Sequence, residues 1–547
     1  MPYEEDYMFK KNLNKLVCVL SAALMAVSAA ACGRGDGSGS SDDAGGKREN
    51  ETKIVIYTGG SSEFSWTAGS EEDDVIDYIE EKYHADTGVW LDFRISHLAD
   101  GMKTKLNSDL AAGAQVDIAI SHTRGGSGID DYFVSQDLFY DIYDDLYDYG
   151  PNVLKYIKGN PLDSLTTIDK KVVGIPSAIS PYKFGMLIRK DWMEACGYTD
   201  DAEKAKTEFK DGVNYVLIDS LRTFTDMCKA MKQKYNLGHV ITGAPWDIEK
   251  VILGAFSDTG YFTYGERNGE ILPGYATDEY KDILELEYEW AKEGIISPES
   301  SSILVEQGEI NFIGEKTGVF ILDPSVKHLI SVARKCKSAN KNAEFTVIGP
   351  LVRDETSDKK GFMTNTEATF AACIVKSSKN AMKIIKFLNW VYKNPENYNL
   401  CRYGIEGKHW VNNGDGTYSY PEGKDEYLVK SPYSGILTLV ENQNISNLVY
   451  KGYSEEESKW LEIAANPDNY VKNDVVNYMW PTNAKITQAY NTSIVGIYGR
   501  CVVPAWTGQT DPADTFETER RVYFESGGRT YVDFITDAYK VMKAARG

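Results

Sequence analysis

The sequence is poor in the residues and motifs that build metal, redox and nucleophilic centres. Histidine occurs six times in 547 residues, no two of them at the spacing of a ligand pair, and none of the eight cysteines forms a CxxC motif. The motifs HExxH and GxSxG are absent, and no glycine-rich phosphate loop follows a predicted strand. These absences argue against zinc and serine hydrolases, nucleotide-dependent enzymes and thiol oxidoreductases.

Positive charge is also in deficit. The chain has 59 Lys and Arg against 81 Asp and Glu, a net charge of −22, which argues against nucleic acid or an anionic membrane face as partner. A few local arginines could still bind an acidic ligand, because salt screens the distant field within about 10 Å. With 42% apolar residues and 547 residues in all, the chain is expected to form two or more globular domains.

The N-terminal residues have the form of a signal peptide. An apolar run over 16–31 follows several lysines and is too short to span a bilayer comfortably. The run ends in Ala29-Ala30-Ala31-Cys32-Gly33, which resembles a bacterial lipobox whose Cys32 would be acylated, for example with palmitate. Ala29 stands where the motif prefers leucine, so plain cleavage at an A-x-A site is the alternative. Residues 33–50 are predicted to form a flexible tether.

The following residues alternate between strand and helix patterns. Predicted strands cover 53–57, 89–95 and 116–121, and predicted helices cover 74–84 and 102–112. Because parallel strands need crossover connections, this order predicts a parallel α/β lobe. In the second half, a helix is predicted over 219–235 and a strand over 239–242.

Residues 172–198 indicate that the chain passes from one sheet to another. A short β run over 172–176 ends at Pro176, a second run covers 185–188, and the polar segment 177–184 lies between them. The Gly-Ile-Pro of the first run, followed by Leu-Ile-Arg-Lys-Asp-Trp-Met, resembles the family 1 extracellular solute-binding proteins of bacterial ABC importers. The stretches YKDILELEYEWAKEGIISPE from Tyr280 and YGIEGKHW from Tyr403 resemble the same family, in its large oligosaccharide-binding branch.

The resemblance implies an α/β fold of the periplasmic-binding-protein-like type II, with two lobes, a cleft and a hinge of three crossings. Residues 1–32 would be the lipoprotein signal peptide ending at Cys32, and 33–50 the tether. Lobe one would comprise 51–180 and 351–398, and lobe two 181–350 and 399–547.

The resemblance also implies a binding function without catalysis or cofactor. The chain would capture an oligosaccharide, deliver it to the transmembrane subunits of an ABC permease, and be held as a monomer on the extracytoplasmic face of the cell membrane through Cys32. A peptide or another polar solute is the alternative ligand. A secreted glycoside-active enzyme or adhesin is the alternative class.

Ligands of open α/β sheets lie beyond the carboxyl ends of the strands, which selects loops for the binding site. We predict that Trp66, Trp246 and Trp410 stack on sugar rings, and that Glu406 and Arg124 bond to hydroxyl groups. The predicted ligand-binding residues are Ser61, Ser62, Trp66, His122, Arg124, Ser177, Tyr182, Trp246, Glu406 and Trp410. Members of the resembled family that bind acidic polysaccharides often carry a calcium loop after the helix that corresponds to 219–235. Residues 234–238 of this chain offer one possible ligand, Asn236, so no calcium site is predicted there, and no other metal site is predicted.

The leader generates a direct test. Cys32→Ala removes the residue that would carry the lipid, so we expect the protein to appear in the medium or to stay unprocessed. Membrane fractionation with an antibody to the chain measures this. A Cys32→Ala variant that stays in the membrane fraction at the processed mass would contradict lipid anchoring.

Overall fold

The structure is a computed structural model that describes residues 50–59, 68–98, 101–123, 136–177, 180, 182–206, 214–261, 263–365, 368–424, 427, 431–439, 441, 445–478 and 484–546. Its strands are β1 (Thr52–Thr58), β2 (Leu91–His97), β3 (Ile118–His122), β4 (Ile175–Pro176), β5 (Met186–Arg189), β6 (Tyr198–Thr199), β7 (Val216–Leu217), β8 (Ile241–Thr242), β9 (Tyr264–Arg267), β10 (Glu270–Pro273), β11 (Val319–Phe320), β12 (Phe345–Ile348), β13 (Phe370–Ile374), β14 (Val411–Asn412), β15 (Thr417–Ser419) and β16 (Val449–Tyr450).

The helices lie between these strands and beyond the last of them. They are α1 (Glu72–Thr87), α2 (Met102–Ala111), α3 (Tyr143–Tyr149), α4 (Pro151–Ile157), α5 (Asn160–Asp163), α6 (Lys190–Ala195), α7 (Ala202–Lys206), α8 (Leu221–Tyr235), α9 (Pro245–Ile252), α10 (Asp278–Lys292), α11 (Val305–Ile313), α12 (Val326–Ala339), α13 (Ala381–Val391), α14 (Pro395–Tyr403), α15 (Glu455–Ala465), α16 (Ala484–Ile497), α17 (Val503–Trp506), α18 (Pro512–Tyr523) and α19 (Arg529–Arg546). None of the described helices is long and apolar enough to cross a membrane.

The first sheet has the strand order β2-β1-β3-β13-β4. Strands β1, β2 and β3 are parallel, whereas β13 runs antiparallel to both β3 and β4. Alternate residues of β1 enter different cores: Ile54 and Ile56 pack on one face of the sheet, and Val55 and Tyr57 on the other. A strand buried on both faces needs apolar residues throughout, which is why Lys-Ile-Val-Ile-Tyr forms a central strand.

The second sheet has the order β12-β5-β11-β8, with β5 antiparallel to both of its neighbours. Met186 and Ile188 of β5 face one core, and Leu187 faces the other. Helix α8 covers the first of these cores with Phe224, Met227 and other buried side chains, so its apolar stripe matches the helical period seen in the sequence.

The residues after β15 contribute side chains to the hydrophobic cores beside both sheets. Tyr433, Ile436 and Leu437 lie in a core of the first sheet, whereas Trp506 and Phe516 lie in a core of the second. The predicted assignment of all of 399–547 to lobe two differs from this packing, because the described apolar side chains between Tyr433 and Ile445 are buried against the first sheet. The lobe boundaries themselves stay a prediction.

Candidate functional site

The carboxyl ends of the parallel strands in the first sheet lie at one edge. This first edge contains Thr58, His97 and His122, the last residues of β1, β2 and β3. It is polar: the His97 ring bonds to Thr58 Oγ1 at 3.3 Å through Nδ1 and to Glu72 at 2.6 Å through Nε2. Burial raises the pKa of Glu72, but the bonds from His97 and Ser434 outweigh burial and lower it below the ordinary value.

The second sheet has a corresponding second edge. Strands β8 and β11 are parallel and end at Thr242 and Phe320, and β12 ends beside them at Ile348 because both β11 and β12 run antiparallel to β5. Helix α9 begins directly beyond β8 and carries Trp246 in its first turn. Trp246 therefore lies just beyond the second edge, where it packs against the cores on both faces of the sheet.

Two chain connections join the first edge to the second. One leaves β4 at Pro176 and enters β5 at Met186, and the other leaves β12 at Ile348 and enters β13 at Phe370. Each connection starts at one edge and ends at the other. The ten steps from Pro176 to Met186 span at most about 35 Å, which is the upper limit on the separation of the two edges at this connection.

His122 and Ser177, predicted separately, meet at Phe370. The ring centroids of His122 and Phe370 lie 4.0 Å apart. The backbone N–H of buried Ser177 donates to the Phe370 carbonyl at 2.9 Å, and the Ser177 hydroxyl accepts from the Phe370 N–H at 3.3 Å. Ser177 thus fixes the start of β13, and His122 extends from the half-buried surface beside it.

Trp246 is half-buried and rests on Trp506. The two rings meet edge to face, with centroids 6.1 Å apart, and Trp506 is fully buried. The Trp506 indole N–H donates to Glu287 Oε2 at 2.8 Å, which fixes the orientation of the ring. Trp246 therefore packs on a buried ring whose orientation is fixed by a hydrogen bond.

Glu287 belongs to a buried pair of acidic side chains. Glu249 lies three residues after Trp246 on α9 and accepts from the Tyr280 hydroxyl at 2.7 Å and the Tyr261 N–H at 2.8 Å. Burial raises the pKa of both glutamates, and the charge of Glu249 raises that of Glu287 further. Glu287 Oε1 has no hydrogen-bond partner among the described residues. The pair is consequently most stable when it carries a proton.

A polar network that the sequence did not reveal lies beside Trp246. The Asp247 carboxylate accepts from Lys250 Nζ at 2.8 Å and from the Asp323 N–H at 3.2 Å. Asp323 follows β11, and its carbonyl oxygen lies 2.9 Å from His328 Nδ1. The other ring nitrogen of His328 bonds to Glu309 at 2.9 Å. The network links α9, α11 and α12 at the second edge.

Opposite charges in this network shift the pKa values of His328 and Glu309. Burial lowers the pKa of His328, but the bond to Glu309 and the charge of Asp323 outweigh burial and raise it. The bond from His328 is the main cause that lowers the pKa of Glu309 to about 2, with Lys335 adding to it. In the sequence, the dipeptide Asp323-Pro324 shortly after β11 is the one local signal that could have pointed to this position.

The remaining predicted residues occupy different surroundings. Tyr182 is half-buried against Tyr470, with ring centroids 4.9 Å apart. Glu406 is exposed, whereas Trp410 is 3% exposed and donates its indole N–H to the Gly404 carbonyl at 2.9 Å. Trp410 therefore has a core role in this structure, and its stacking on a sugar stays a prediction. Ser61, Ser62, Trp66, Arg124 and Cys32 lie outside the described residues.

The described residues contain no group of three or more His, Cys, Asp or Glu side chains that could hold a metal ion. Their six cysteines are all free, and five of them are buried. What the site offers is an aromatic face, carboxylates and polar hydrogens, which suits recognition of a polar, ring-containing solute.

No family model matches the chain. Two curated proteins of Bacillus subtilis (strain 168) are similar to it in sequence. The polygalacturonan/rhamnogalacturonan-binding protein YtcQ is 24% identical over 357 residues, which cover 63% of this chain and 66% of that protein. The lipoprotein LipO is 22% identical over 285 residues, which cover 49% and 53%. The chain thus spans less than two thirds of the length of either relative.

Solved structures match a larger share of the chain than the two sequence relatives do. The alginate-binding protein AlgQ2, without calcium, has a TM-score of 0.67 at 14% identity and covers 90% of this chain and 99% of its own. The N-glycan transport solute binding protein NgtS of Streptococcus pneumoniae has a TM-score of 0.62 at 14% identity, covering 90% and 100%. The chain has the fold of these saccharide-binding proteins. The predicted α/β class and periplasmic-binding-protein-like fold are therefore confirmed.

The glutamate pair under Trp246 predicts how stability depends on pH. Both folded-state pKa values lie above the ordinary glutamate value of 4.5. The contribution of the protonated glutamates to the free energy of unfolding is therefore complete below that pH. This contribution is lost as the pH rises through the raised pKa values. Glu287→Gln removes one titrating group, and we expect the free energy of unfolding to fall less between pH 5 and pH 8, by on the order of 1–2 kcal/mol.

Urea unfolding at the two pH values measures this difference. Glu289→Gln is the control, because Glu289 is exposed on the same helix and its replacement should leave the pH dependence unchanged. An equal loss of stability in wild type and Glu287→Gln would show that Glu287 is ionised throughout.

Proposed function

We propose that the protein is the extracytoplasmic binding component of an ABC importer and that it captures an oligosaccharide between the first and second edges. It would deliver the ligand to the transmembrane subunits of the permease without changing it chemically. Cys32 would hold it on the outer face of the cell membrane as a lipid-anchored monomer, with residues 33–50 as the tether.

The supported aromatic ring at the second edge is the observation that carries this proposal. Trp246 stands at the carboxyl end of β8, is half-buried, and rests on a fixed tryptophan. The apolar face of a pyranose ring stacks on such an indole, while neighbouring polar groups bind its hydroxyls. Asp247 at the second edge and His122 at the first can act as those groups.

The relatives support the proposed class of function, which is saccharide binding. YtcQ, AlgQ2 and NgtS are named for the saccharides that they bind or transport, and each is a binding protein by name. LipO is named a lipoprotein, which agrees with the lipobox-like sequence at Cys32. A binding protein needs a cleft that closes and no catalytic group, so we propose that the chain is not an enzyme.

The test is a binding screen followed by one substitution. Thermal stabilisation identifies ligands in a panel of oligosaccharides and oligopeptides, since a ligand at 100 times its Kd stabilises by about 2.7 kcal/mol. With a saccharide so identified, Trp246→Ala should weaken binding roughly 30-fold by calorimetry, because truncating a buried aromatic anchor costs about 2 kcal/mol.

Trp90→Ala is the matched control. Trp90 is also half-buried and stacks on His84, with ring centroids 3.9 Å apart, but it precedes β2 and so lies at the opposite edge of the first sheet. Its loss should leave the affinity unchanged. Stabilisation by peptides alone, or release of shortened glycans during incubation, would contradict the proposal. Wild-type affinity of Trp246→Ala would place the ligand elsewhere.

A further inference from the structure

The buried glutamate pair is connected to the Trp246 ring from two sides. Glu249 lies about one turn after Trp246 on α9. Glu287 on α10 accepts from the indole N–H of Trp506, and Trp246 packs on that same indole. Glu249 and Glu287 are 2% and 0% exposed. The position of Trp246 is therefore coupled to both carboxyl groups, through its own helix and through Trp506.

The described groups that face the two carboxyls are neutral or acidic. Glu249 accepts from the Tyr280 hydroxyl at 2.7 Å and from the Tyr261 N–H at 2.8 Å. Glu287 accepts from Trp506 through Oε2, whereas its Oε1 has no partner among the described residues. No Lys, Arg or His in the described part of the chain pairs with either carboxyl. A negative charge on the pair would therefore be buried without a counter-charge, which is strongly unfavourable.

The charged side chains on the neighbouring elements have partners of their own. They form the pairs Lys250–Asp247 on α9, Lys281–Glu285 on α10 and Arg267–Asp258 beside Tyr261. Helix α17, which carries Trp506, has no charged residue. Burial raises the pKa of the Tyr261 and Tyr280 hydroxyls, so both stay neutral near pH 7. The two glutamates are therefore the groups of this cluster that gain or lose a proton.

Helix α9 is the element that yields most easily when the pair ionises. It has eight residues and no side-chain cap at Ala244, whereas α10 has fifteen residues and buries Tyr280 and Trp290. A short helix depends on its packing more than on its own hydrogen bonds. A shift of α9 that lets water reach an ionised Glu249 would also move Trp246, which stands in the first turn of the helix.

We propose that Glu249 and Glu287 form a proton-sensitive support for Trp246, so that saccharide binding is tight while the pair is protonated and weakens when it ionises. The proposal rests on the proposed function and adds a regulation to it. Both glutamates are positioning residues, because they act on the ligand through Trp246. Burial raises the pKa of Glu249 to about 7, and burial and the charge of Glu249 raise that of Glu287. Tight binding is therefore complete in acid and declines as the pH rises through neutrality.

Calorimetry on the mature protein at pH 5 and pH 8 tests the proposal. The probe is a neutral saccharide that thermal stabilisation has shown to bind, so the ligand itself does not titrate. The Kd of wild type should rise about tenfold between the two pH values, the equivalent of one pKa unit. The double variant Glu249→Gln, Glu287→Gln keeps an acceptor oxygen at each position and cannot ionise there. Its Kd should change less than about twofold.

Proton uptake gives a second readout, because linkage between a ligand and a proton is reciprocal. Calorimetry near pH 7 in two buffers of different ionisation enthalpy should show that wild type takes up protons when it binds the saccharide. The double variant should take up fewer. Any titration of His122 at the first edge is common to both proteins, so the difference between them reports on the pair.

Glu289→Gln serves as the matched single substitution, since Glu289 is exposed on α10, and it should keep the wild-type pH profile. Thermal unfolding at pH 5 checks that each variant folds. If the double variant does not fold, Glu249→Gln alone should reduce the change in Kd. An equal pH dependence in wild type and the glutamine variants, or none in wild type, would overturn the proposal and keep the proposed function. Binding of peptides but of no saccharide would overturn the proposed function itself.

Discussion

The candidate site depends on the hydrogen bonds that hold the connection from Pro176 to Met186. At its start Ser177 is bonded to Phe370 of the first sheet. At its end the Phe184 N–H donates to the Tyr470 hydroxyl at 2.7 Å, and the Gly185 N–H donates to the Pro324 carbonyl at 3.1 Å. The connection is therefore fixed at both ends, to the start of β13 in the first sheet and to the loops that carry Pro324 and Tyr470 beside the second.

The same connection explains why the polar groups of the site lie where they do. Pro324, which accepts from Gly185, is the residue after Asp323, so the bond that anchors the crossing also fixes the loop that carries the carboxylate. Val326, the first residue of α12, donates to the Lys183 carbonyl at 2.9 Å. Crossing, loop and helix are therefore one hydrogen-bonded unit, and a movement of one edge relative to the other must act on it.

Much of the fold could be predicted from local patterns. The strand predicted over 53–57 is Thr52–Thr58, and the helix predicted over 219–235 is Leu221–Tyr235, because in each case the apolar positions follow the period of the element. The helix predicted over 74–84 extends to Glu72–Thr87, since its polar ends carry no apolar pattern. The resemblance at Gly-Ile-Pro placed the first crossing correctly between β4 and β5.

The site was less accessible to sequence reasoning. The bond between Asp247 and Asp323 joins residues 76 positions apart, which no local pattern encodes. Trp246 and Trp410 both stand in polar sequence, yet Trp246 is half-buried and Trp410 is buried with its N–H bonded to Gly404. Polar neighbours in sequence therefore do not separate a half-buried ring from a ring in the core, because tertiary packing decides its exposure.

The central claim is that the two edges close on a ligand. Small-angle X-ray scattering of the mature protein, with and without a saccharide that calorimetry has shown to bind, tests it most directly. Hinge closure around a ligand brings the two sheets together. The account predicts a smaller radius of gyration in the saturated protein than in the free protein. An unchanged radius at saturation would contradict closure of the cleft.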